Sequence, residues 1–432
     1  MQLESRHNIA KYIMAFGSVQ GLNIAIGIVR TKLVALLLGP NGMGIMALYS
    51  SAIQMMQNLT NLGLDKSGVP TLSKAFATEN QFTQPTTTIP NDIICQFRSL
   101  CAIAAFIALA FGVLFSWLLS LLVFRSLDHT FHFIVVSPAV PLLIIASGEL
   151  VILKAARHLK TVATLSLWNV ALALVISVPL FYIWGARAII PMLVITALSQ
   201  MIITLIYSYK RYPLYINISR ATIHHSRPLL RLGMAFVGAS GMTSGAEFLI
   251  RTIIYNVGDE YDVGLYNIAY MIALTYGGMI FASLDSEYYS RLCQIDRNNV
   301  TLITATIHRQ IKVSFMFIVP MIVVLEFLLP WIVPLLSSDR FIDAIPMAQI
   351  TLFALLFRAA YLPIGYVPLS RGDSRTFLLM ESLSAIMMLT CVSTGYYLHG
   401  LNGAGIGLVL SNAFDLLCYV IICNRKYHLS IL

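Results

Sequence analysis

The sequence predicts an all-α polytopic membrane protein, and its composition and hydropathy support this fold class. Of the 432 residues, 58% are hydrophobic and only 11% are charged. The mean hydropathy is +0.79. Soluble globular proteins are about 25% charged and keep much of their chain in contact with water. The composition therefore excludes a soluble enzyme, a disordered scaffold and a disulfide-rich secreted domain.

Twelve apolar segments divide the chain, and each is long enough for one transmembrane helix, which needs about 20 mostly apolar residues. The pattern predicts spans at residues 12–38, 42–63, 99–124, 132–153, 161–184, 188–208, 230–252, 263–285, 312–336, 346–368, 376–398 and 403–423. The connections between them are too short for a separate catalytic domain, since domains have about 50 residues or more. We therefore expect helices joined by short loops.

Basic residues set the orientation of these spans, because Lys and Arg collect in the cytoplasmic loops of membrane proteins. With the N-terminus in the cytoplasm, 21 of the 28 Lys and Arg residues fall on the cytoplasmic side, 4 lie in external loops or at their edges, and 3 lie within spans. This bias predicts that both termini are cytoplasmic. It also accounts for the net charge of +9 without a nucleic-acid partner.

The sequence carries no motif for catalysis or for a resident cofactor. The six cysteines have no zinc-site spacing, and the motifs GxxxxGK[ST], GxSxG and HExxH do not occur. In the predicted topology no cysteine falls in an external loop, so we expect no disulfide. We therefore expect a protein that is not an enzyme and that holds no metal or organic cofactor.

The two halves of the chain contain similar short segments. Residues 28–31 read IVRT and residues 249–252 read LIRT, while 182–185 read YIWG and 397–400 read YLHG. Six spans per half give both halves the same orientation, as in transporters whose repeats are related by an axis along the membrane normal. The repeat predicts an N-terminal six-helix bundle, residues 1–215, and a C-terminal one, residues 216–432. Chance similarity is the alternative.

Polar residues form stripes in the first spans of each half. A charge within a span costs at least about 2.5–3.5 kcal/mol, so such residues usually face a cavity or a partner. The candidate cavity residues are Arg30 and Lys32 in span 1, Gln54, Asn58 and Asn61 in span 2, Ser244, Glu247 and Arg251 in span 7, and Asn267 and Tyr270 in span 8. Together they predict a wet, basic cleft between the two halves.

Each stripe also has a purely structural interpretation. Ser, Asn and Gln side chains often only hydrogen-bond one membrane helix to another. Glu247 and Arg251 have the i,i+4 spacing of a structural ion pair. Arg30 and Lys32 are long enough to snorkel to the outer surface. For Arg30 we favour the cavity, because it combines depth in the span with the repeated Arg-Thr of the second half.

The predicted cleft suits an anionic ligand that also carries sugars. Arginine binds phosphate through its planar fork, and lysine acts as a point charge. A diphosphate headgroup would therefore be drawn to Arg30, Lys32 and Arg251. Sugar hydroxyls need many hydrogen-bond partners, which the amides of span 2 together with Asn267 and Tyr270 could supply.

Three segments resemble the bacterial polysaccharide flippases. Residues 30–44, RTKLVALLLGPNGMG, resemble the first-hairpin signature of the O-antigen and related lipid-linked oligosaccharide translocases. Residues 263–270, VGLYNIAY, resemble the opening of that family's span 8. Residues 287–292, EYYSRL, are similar to the segment that follows it, although Ser290 stands where that segment often has proline. These flippases belong to the multidrug/oligosaccharidyl-lipid/polysaccharide exporter (MOP) superfamily.

The resemblance implies a MATE-like, V-shaped pair of pseudo-symmetric six-helix bundles in the bacterial inner membrane. It implies passage of an undecaprenyl-diphosphate-linked oligosaccharide from the cytoplasmic to the periplasmic leaflet, for O-antigen and lipopolysaccharide biosynthesis. The family's diphosphate-binding basic residues correspond to Arg30, Lys32 and Arg251. Membrane lipids, a polysaccharide polymerase and a chain-length regulator are the expected partners. Lipid II flippases have two additional spans, which this chain lacks.

The predicted function is therefore flipping by alternating access. The membrane potential or a coupled H+ or Na+ ion would drive it. Glu247, Arg358 and Asp415, which lie within spans, are the candidate coupling or gating residues. A cation-coupled multidrug exporter, a membrane polysaccharide polymerase or ligase, and a non-transporting scaffold remain the alternatives.

Overall fold

The computed structural model describes residues 2–79, 88–213, 215, 227–296 and 299–430, and every regular element in these ranges is helical. The α-helices are α1 (Gln2–Thr60), α2 (Leu64–Glu79), α3 (Thr88–Leu114), α4 (Ser116–Phe124), α5 (Thr130–Val136), α6 (Ala139–Ala155), α7 (Leu159–Trp184), α8 (Ile189–Tyr209), α9 (Arg227–Val257), α10 (Glu260–Tyr270), α11 (Gly277–Gln294), α12 (Val300–Leu336), α13 (Ile345–Leu352), α14 (Ala354–Ser370) and α15 (Ser374–Tyr427). This confirms the all-α prediction.

Six helical segments in the described ranges are long and apolar enough to cross a membrane, and a bent pair of helices makes a seventh. They are Gly21–Thr60, Asp92–Leu114, Thr130–Ala155, Leu159–Tyr209, Val300–Leu336, Ser374–Tyr427 and the pair Asp339–Leu352 with Ala354–Ser370. Three of the long segments each contain two predicted spans. The predicted spans 230–252 and 263–285 are helical too, in α9 and in α10 with α11, but they are less apolar because they carry the polar stripe of span 7 and its neighbours.

Glycines mark the breaks in three of the long helical segments. Gly39 has φ 65° and ψ −175° and is followed by Pro40, which cannot donate the next helical hydrogen bond. Gly185 has φ 55° and ψ −138°, and Gly400 has φ 58° and ψ −142°. These last two glycines end the segments YIWG and YLHG, so the two similar sequences adopt the same backbone conformation at their turns.

The chain forms two compact units. Unit 1 comprises residues 1–38 and 52–237, and unit 2 comprises residues 39–51 and 238–432. The short segment 39–51 therefore packs with the C-terminal half of the chain. The boundary predicted between residues 215 and 216 adjoins residues 216–226, which lie outside the described ranges, and it stays a prediction.

Each unit is built around helices that pack along much of their length. In unit 1, α6 packs against α2, α3 and α8. In unit 2, α14 packs against α12 and α15, with Tyr288, Ile307, Val367 and Cys423 fully or almost fully buried among them. This packing holds the intramembrane polar residues of each unit in fixed positions.

Candidate functional site

Arg30 lies in unit 1 against two neighbouring helices. Its Nε donates to the Ser177 hydroxyl of α7 at 3.4 Å, and its Nη2 lies 3.9 Å from the sulfur of Met192 in α8. The described ion pairs of unit 1 do not include Arg30 or Lys32. The guanidinium is thus half-buried, held only by weak neutral partners and paired with no described carboxylate of its own unit. Such a group retains its capacity to bind an anion.

The span 2 amides lie in the same unit at different depths. Gln54 is exposed, Asn58 is half-buried and Asn61 is only 4% exposed. About two turns before Arg30 along α1, Asn23 is buried and donates to Ser166 at 2.9 Å. Lys32 itself is half-buried. Unit 1 therefore carries polar groups along both predicted spans of α1.

A buried ion pair in unit 1 was not predicted from the sequence. Arg98 Nε lies 2.7 Å from Glu149 Oε1, and its Nη2 lies 2.9 Å from Oε2. Ser208 also donates to this carboxylate, and Arg98 Nη1 donates to the Pro213 carbonyl at 2.6 Å. Arg98 is 4% exposed, because α3 begins ten residues earlier, at Thr88, and includes it. The hydropathy pattern places Arg98 in the loop before span 3. The charge of Glu149 is therefore satisfied within the fold.

In unit 2 the structure brings Arg251, Glu247 and Tyr270 together. Arg251 is 7% exposed, and its Nη1 lies 3.4 Å from Glu247 Oε2. The Tyr270 hydroxyl donates to Glu247 Oε1 at 3.2 Å. The Tyr270 ring centroid lies 5.6 Å from the Arg251 guanidinium carbon, within the range of a cation–π contact. Three of the predicted cavity residues therefore form one cluster.

The backbone around this cluster is unusual. A π-helical turn, Met271–Tyr276, follows Tyr270 directly and joins α10 to α11. Such turns are rare, and they occur frequently at functional sites. Asn267, one turn before Tyr270, is half-buried. Ser244, in contrast, donates its hydroxyl to the Ser240 carbonyl of its own helix at 2.8 Å, which satisfies its donor locally.

Asp415 and Arg358 occupy a second polar region of unit 2. Asp415 is 4% exposed, and its Oδ2 accepts a hydrogen bond from Ser384 at 2.8 Å. The other oxygen, Oδ1, is buried and has no hydrogen-bond partner among the described residues. Arg358 lies over the Phe281 ring, 6.0 Å from its centroid. Asp415 is therefore a buried carboxyl group in a span, and the described ion pairs do not include it.

The predicted site residues thus fall into separate groups. Arg30 and Lys32 belong to unit 1, and Arg251 belongs to unit 2. A joint diphosphate site made by all three remains a prediction. Within the described residues, no group of three or more His, Cys, Asp or Glu side chains is arranged to hold a metal ion.

Comparison with known proteins identifies the family and the fold. The model of a family described as "Polysaccharide biosynthesis protein" matches residues 33–346. Comparison with curated protein sequences gives no match.

Solved structures of MOP-superfamily transporters share the fold. A structure of the lipid II flippase MurJ in an inward closed conformation superposes with a TM-score of 0.74 at 12% identity, covering 96% of this chain and 88% of that one. An inward-facing multidrug resistance MATE family transporter superposes with a TM-score of 0.69 at 14% identity, covering 94% of each chain. A MOP transporter from Pyrococcus furiosus gives 0.66 at 12% identity, covering 96% and 93%. The fold is therefore MATE-like, as predicted, and the protein is a multi-pass membrane protein.

Proposed function

Because the chain belongs to the polysaccharide biosynthesis protein family, we propose that it flips an undecaprenyl-diphosphate-linked oligosaccharide from the cytoplasmic to the periplasmic leaflet of the bacterial inner membrane. The protein is then a transporter and not an enzyme. Both termini lie in the cytoplasm. The delivered repeat unit serves O-antigen or another surface polysaccharide, where a polymerase and a chain-length regulator act on it.

The observation that carries this proposal is a buried or half-buried arginine in each unit of a MATE-like fold, in both cases within a predicted span. Arg30 in unit 1 has no described carboxylate partner in its unit. In unit 2, Arg251 Nη1 donates to the Glu247 backbone carbonyl at 3.0 Å and has only a long contact, 3.4 Å, with the Glu247 carboxylate. Two guanidinium groups and Lys32 are opposite in charge to a diphosphate and can bind its oxygens. The likeness to MurJ, a lipid II flippase, supports a lipid-linked substrate.

The physical task is to move a polar headgroup through hydrocarbon. Unpaired polar groups there cost several kcal/mol each, so the headgroup needs protein partners throughout its passage. Guanidinium groups bind the phosphate oxygens, and Gln54, Asn58 and Asn61 offer hydrogen bonds to sugar hydroxyls. The undecaprenyl tail stays in the lipid. Alternating access exposes the headgroup first to one side of the membrane and then to the other.

Two energy sources fit this task. The membrane potential supplies about 2.3 kcal/mol per charge per 100 mV and, with the inside negative, favours outward movement of an anion. A coupled H+ or Na+ ion is the other source. The buried carboxyl of Asp415 is better placed to bind it than that of Glu247, since Asp415 Oδ1 lacks a hydrogen bond from any described residue.

Reconstitution tests the proposed function. The purified full chain is placed in liposomes that contain a fluorescent undecaprenyl-diphosphate oligosaccharide, and the fraction that an external quencher reaches is followed with time. We expect the protein to speed the exchange between leaflets, with no effect on a neutral glycerophospholipid of similar size. Equal rates with and without the protein, across an imposed membrane potential or ion gradient, would contradict the proposal.

Multidrug export is the second candidate, because the MATE transporter with a TM-score of 0.69 is described as a multidrug resistance protein. Its cationic substrates would meet the basic residues Arg30 and Lys32, which repel them. Drug susceptibility of cells that express the protein separates the two functions. Resistance to cationic drugs, with surface polysaccharide unaffected by deletion of the gene, would favour export of drugs.

A further inference from the structure

The buried ion pairs of the two units differ in strength. Arg98 and Glu149 are joined by two short bonds, 2.7 and 2.9 Å, which is the bidentate geometry of a strong charge-assisted pair. Arg251 reaches the Glu247 side chain only through Nη1, at 3.4 Å. The Arg251 Nε is buried and has no hydrogen-bond partner among the described residues. The guanidinium in unit 2 therefore has unused donor capacity.

Glu247 is the more accessible member of its pair. Its side chain is 23% exposed, against 9% for Arg251. One carboxylate oxygen lies near Arg251, and the other accepts the Tyr270 hydroxyl at 3.2 Å. Tyr270 also places its ring over the guanidinium. A rotation of the Glu247 side chain would therefore remove the carboxylate partner of Arg251, while Arg251 Nη1 would keep its 3.0 Å hydrogen bond to the Glu247 backbone carbonyl.

A diphosphate competes directly with this carboxylate. Carboxylate and phosphate oxygens accept from the same guanidinium donors, and both give charge-assisted bonds. A diphosphate carries more charge and more acceptor oxygens than one carboxylate, so it is the stronger partner when it is present. When it is absent, an unpaired guanidinium at this depth is costly. The contact with Glu247 then lowers the energy of the empty site.

We propose that Glu247 is the internal counterion of Arg251. It pairs with the guanidinium while no substrate is bound, yields it to the substrate diphosphate, and pairs with it again as the substrate leaves. Tyr270 positions the carboxylate for this exchange. The inference deepens the proposed function and rests on it, because it takes Arg251 as a ligand of the diphosphate. It follows that Glu247 weakens diphosphate binding and speeds diphosphate release.

Titration with inorganic pyrophosphate tests this role. The purified full chain in detergent is titrated calorimetrically as the wild type, Glu247→Gln and Tyr270→Phe. Glu247→Gln keeps the size of the side chain and removes its charge, so we expect pyrophosphate to bind about tenfold tighter, a change of about 1.4 kcal/mol. We expect Tyr270→Phe to tighten binding by a smaller factor, since it removes the hydroxyl that holds Glu247 in place.

The matched control is Glu287→Gln. It removes another i,i+4 contact between Glu and Arg in the same unit, but Glu287 is 71% exposed and pairs with Arg291. We expect no change in pyrophosphate affinity.

In liposomes, Glu247→Gln should slow flipping of the lipid-linked oligosaccharide, because the tighter complex releases its diphosphate more slowly.

The counterion role is overturned if Glu247→Gln binds pyrophosphate with the same affinity as the wild type or more weakly. It is also overturned if neither the wild type nor any variant binds pyrophosphate. If Glu247→Gln does not fold, the pyrophosphate affinity of Tyr270→Phe decides by the same criterion. If the wild type flips the lipid-linked oligosaccharide but Glu247→Gln binds pyrophosphate no tighter than the wild type, the counterion role is wrong and the proposed function stands. A wild type that flips nothing contradicts the proposed function itself.

Discussion

Gly44 and Gly264 meet backbone to backbone in unit 2. A Cβ built on Gly44 would lie 3.0 Å from the Gly264 nitrogen and 1.9 Å from the Glu260 carbonyl oxygen. A Cβ built on Gly264 would lie 2.1 Å from the Pro40 carbonyl oxygen. The segment after the kink at Gly39 therefore packs on α10 at a distance that only glycine permits. Both glycines lie in segments that resemble the bacterial polysaccharide flippases, residues 30–44 and 263–270.

This close contact predicts that Gly44→Val and Gly264→Val prevent correct packing of unit 2. The added atoms would overlap backbone, which cannot move aside as a flexible side chain can. We expect a loss above about 3 kcal/mol, at the upper end of overpacking costs. The measurement is thermal unfolding in detergent. Gly245→Val is the control, because Gly245 lies in α9 of the same unit and no atom lies within 4 Å of its Cβ position. Equal melting temperatures for Gly44→Val and the wild type would contradict the contact.

The buried pair of unit 1 gives a second stability prediction. Arg98→Ala leaves Glu149 charged and buried, and such a loss costs about 3–5 kcal/mol. An exposed pair, Glu287 with Arg291, should contribute no more than about 1 kcal/mol. Thermal unfolding of Arg98→Ala and Arg291→Ala measures the difference. If both variants melt alike, the buried pair does not hold α3 to α6.

The fold was largely predictable from the sequence, because each step relied on local patterns. Apolar segments predicted the helices, and the matching YIWG and YLHG segments predicted two similar halves. The hydropathy pattern could not place Arg98, since a charged residue at the start of an apolar segment is typical of a loop. Only the folded structure shows that the helix begins ten residues earlier and that its partner, Glu149, lies 51 residues away.

The candidate site was predictable only in part, for a similar reason. The i,i+4 spacing of Glu247 and Arg251 allowed a contact within one helix to be foreseen. The hydrogen bond from Tyr270 joins positions 23 residues apart, and the π-helical turn after that tyrosine has no sequence signal. Contacts between distant positions depend on helix packing, which the polar stripes alone do not determine.

Asp373, which lies outside the membrane spans, is predicted to make the stability of the protein depend on pH. Burial opposes its charge, but hydrogen bonds from Lys426, Tyr427 and Thr376 outweigh that effect and hold the pKa of Asp373 well below its ordinary value. A carboxyl whose pKa is lowered in the folded state contributes stability above its unfolded pKa of about 3.9, and this contribution is lost as the pH falls below that value. Asp373 is also the N-cap of α15.

We therefore expect Asp373→Asn to melt below the wild type at neutral pH. The gap should narrow as the pH falls from about 5 to about 3, because the Asp373 carboxyl then takes up a proton in the unfolded wild type but not in the folded one. The N-cap itself changes little, since Asn and Asp cap helices about equally well. Melting curves at both ends of this pH range measure the effect. A gap that stays constant or widens in acid would show that the charge of Asp373 is not what stabilises this end of α15.

Asp415 gives a prediction about energy coupling. Asp415→Asn keeps an oxygen that accepts from Ser384 and removes the buried charge, so we expect little loss of thermal stability. If a proton or sodium ion drives transport through this carboxyl, the variant should flip substrate without responding to an imposed ion gradient. Flipping rates in liposomes, with and without the gradient, measure this. If Asp415→Asn responds to the gradient as the wild type does, Asp415 is not the coupling residue.

We propose that Arg30 and Arg251 are each ligands of the diphosphate during transport. The most direct measurement is flipping of a fluorescent undecaprenyl-diphosphate oligosaccharide in liposomes by the double variant Arg30→Ala with Arg251→Ala. Removing a guanidinium from a buried charged partner costs about 2–5 kcal/mol, so we predict a fall of about a hundredfold or more at normal protein levels. The control is Arg187→Ala with Arg340→Ala, which removes one exposed arginine from each unit and should flip normally. Unimpaired flipping by the Arg30 and Arg251 double variant would contradict the claim.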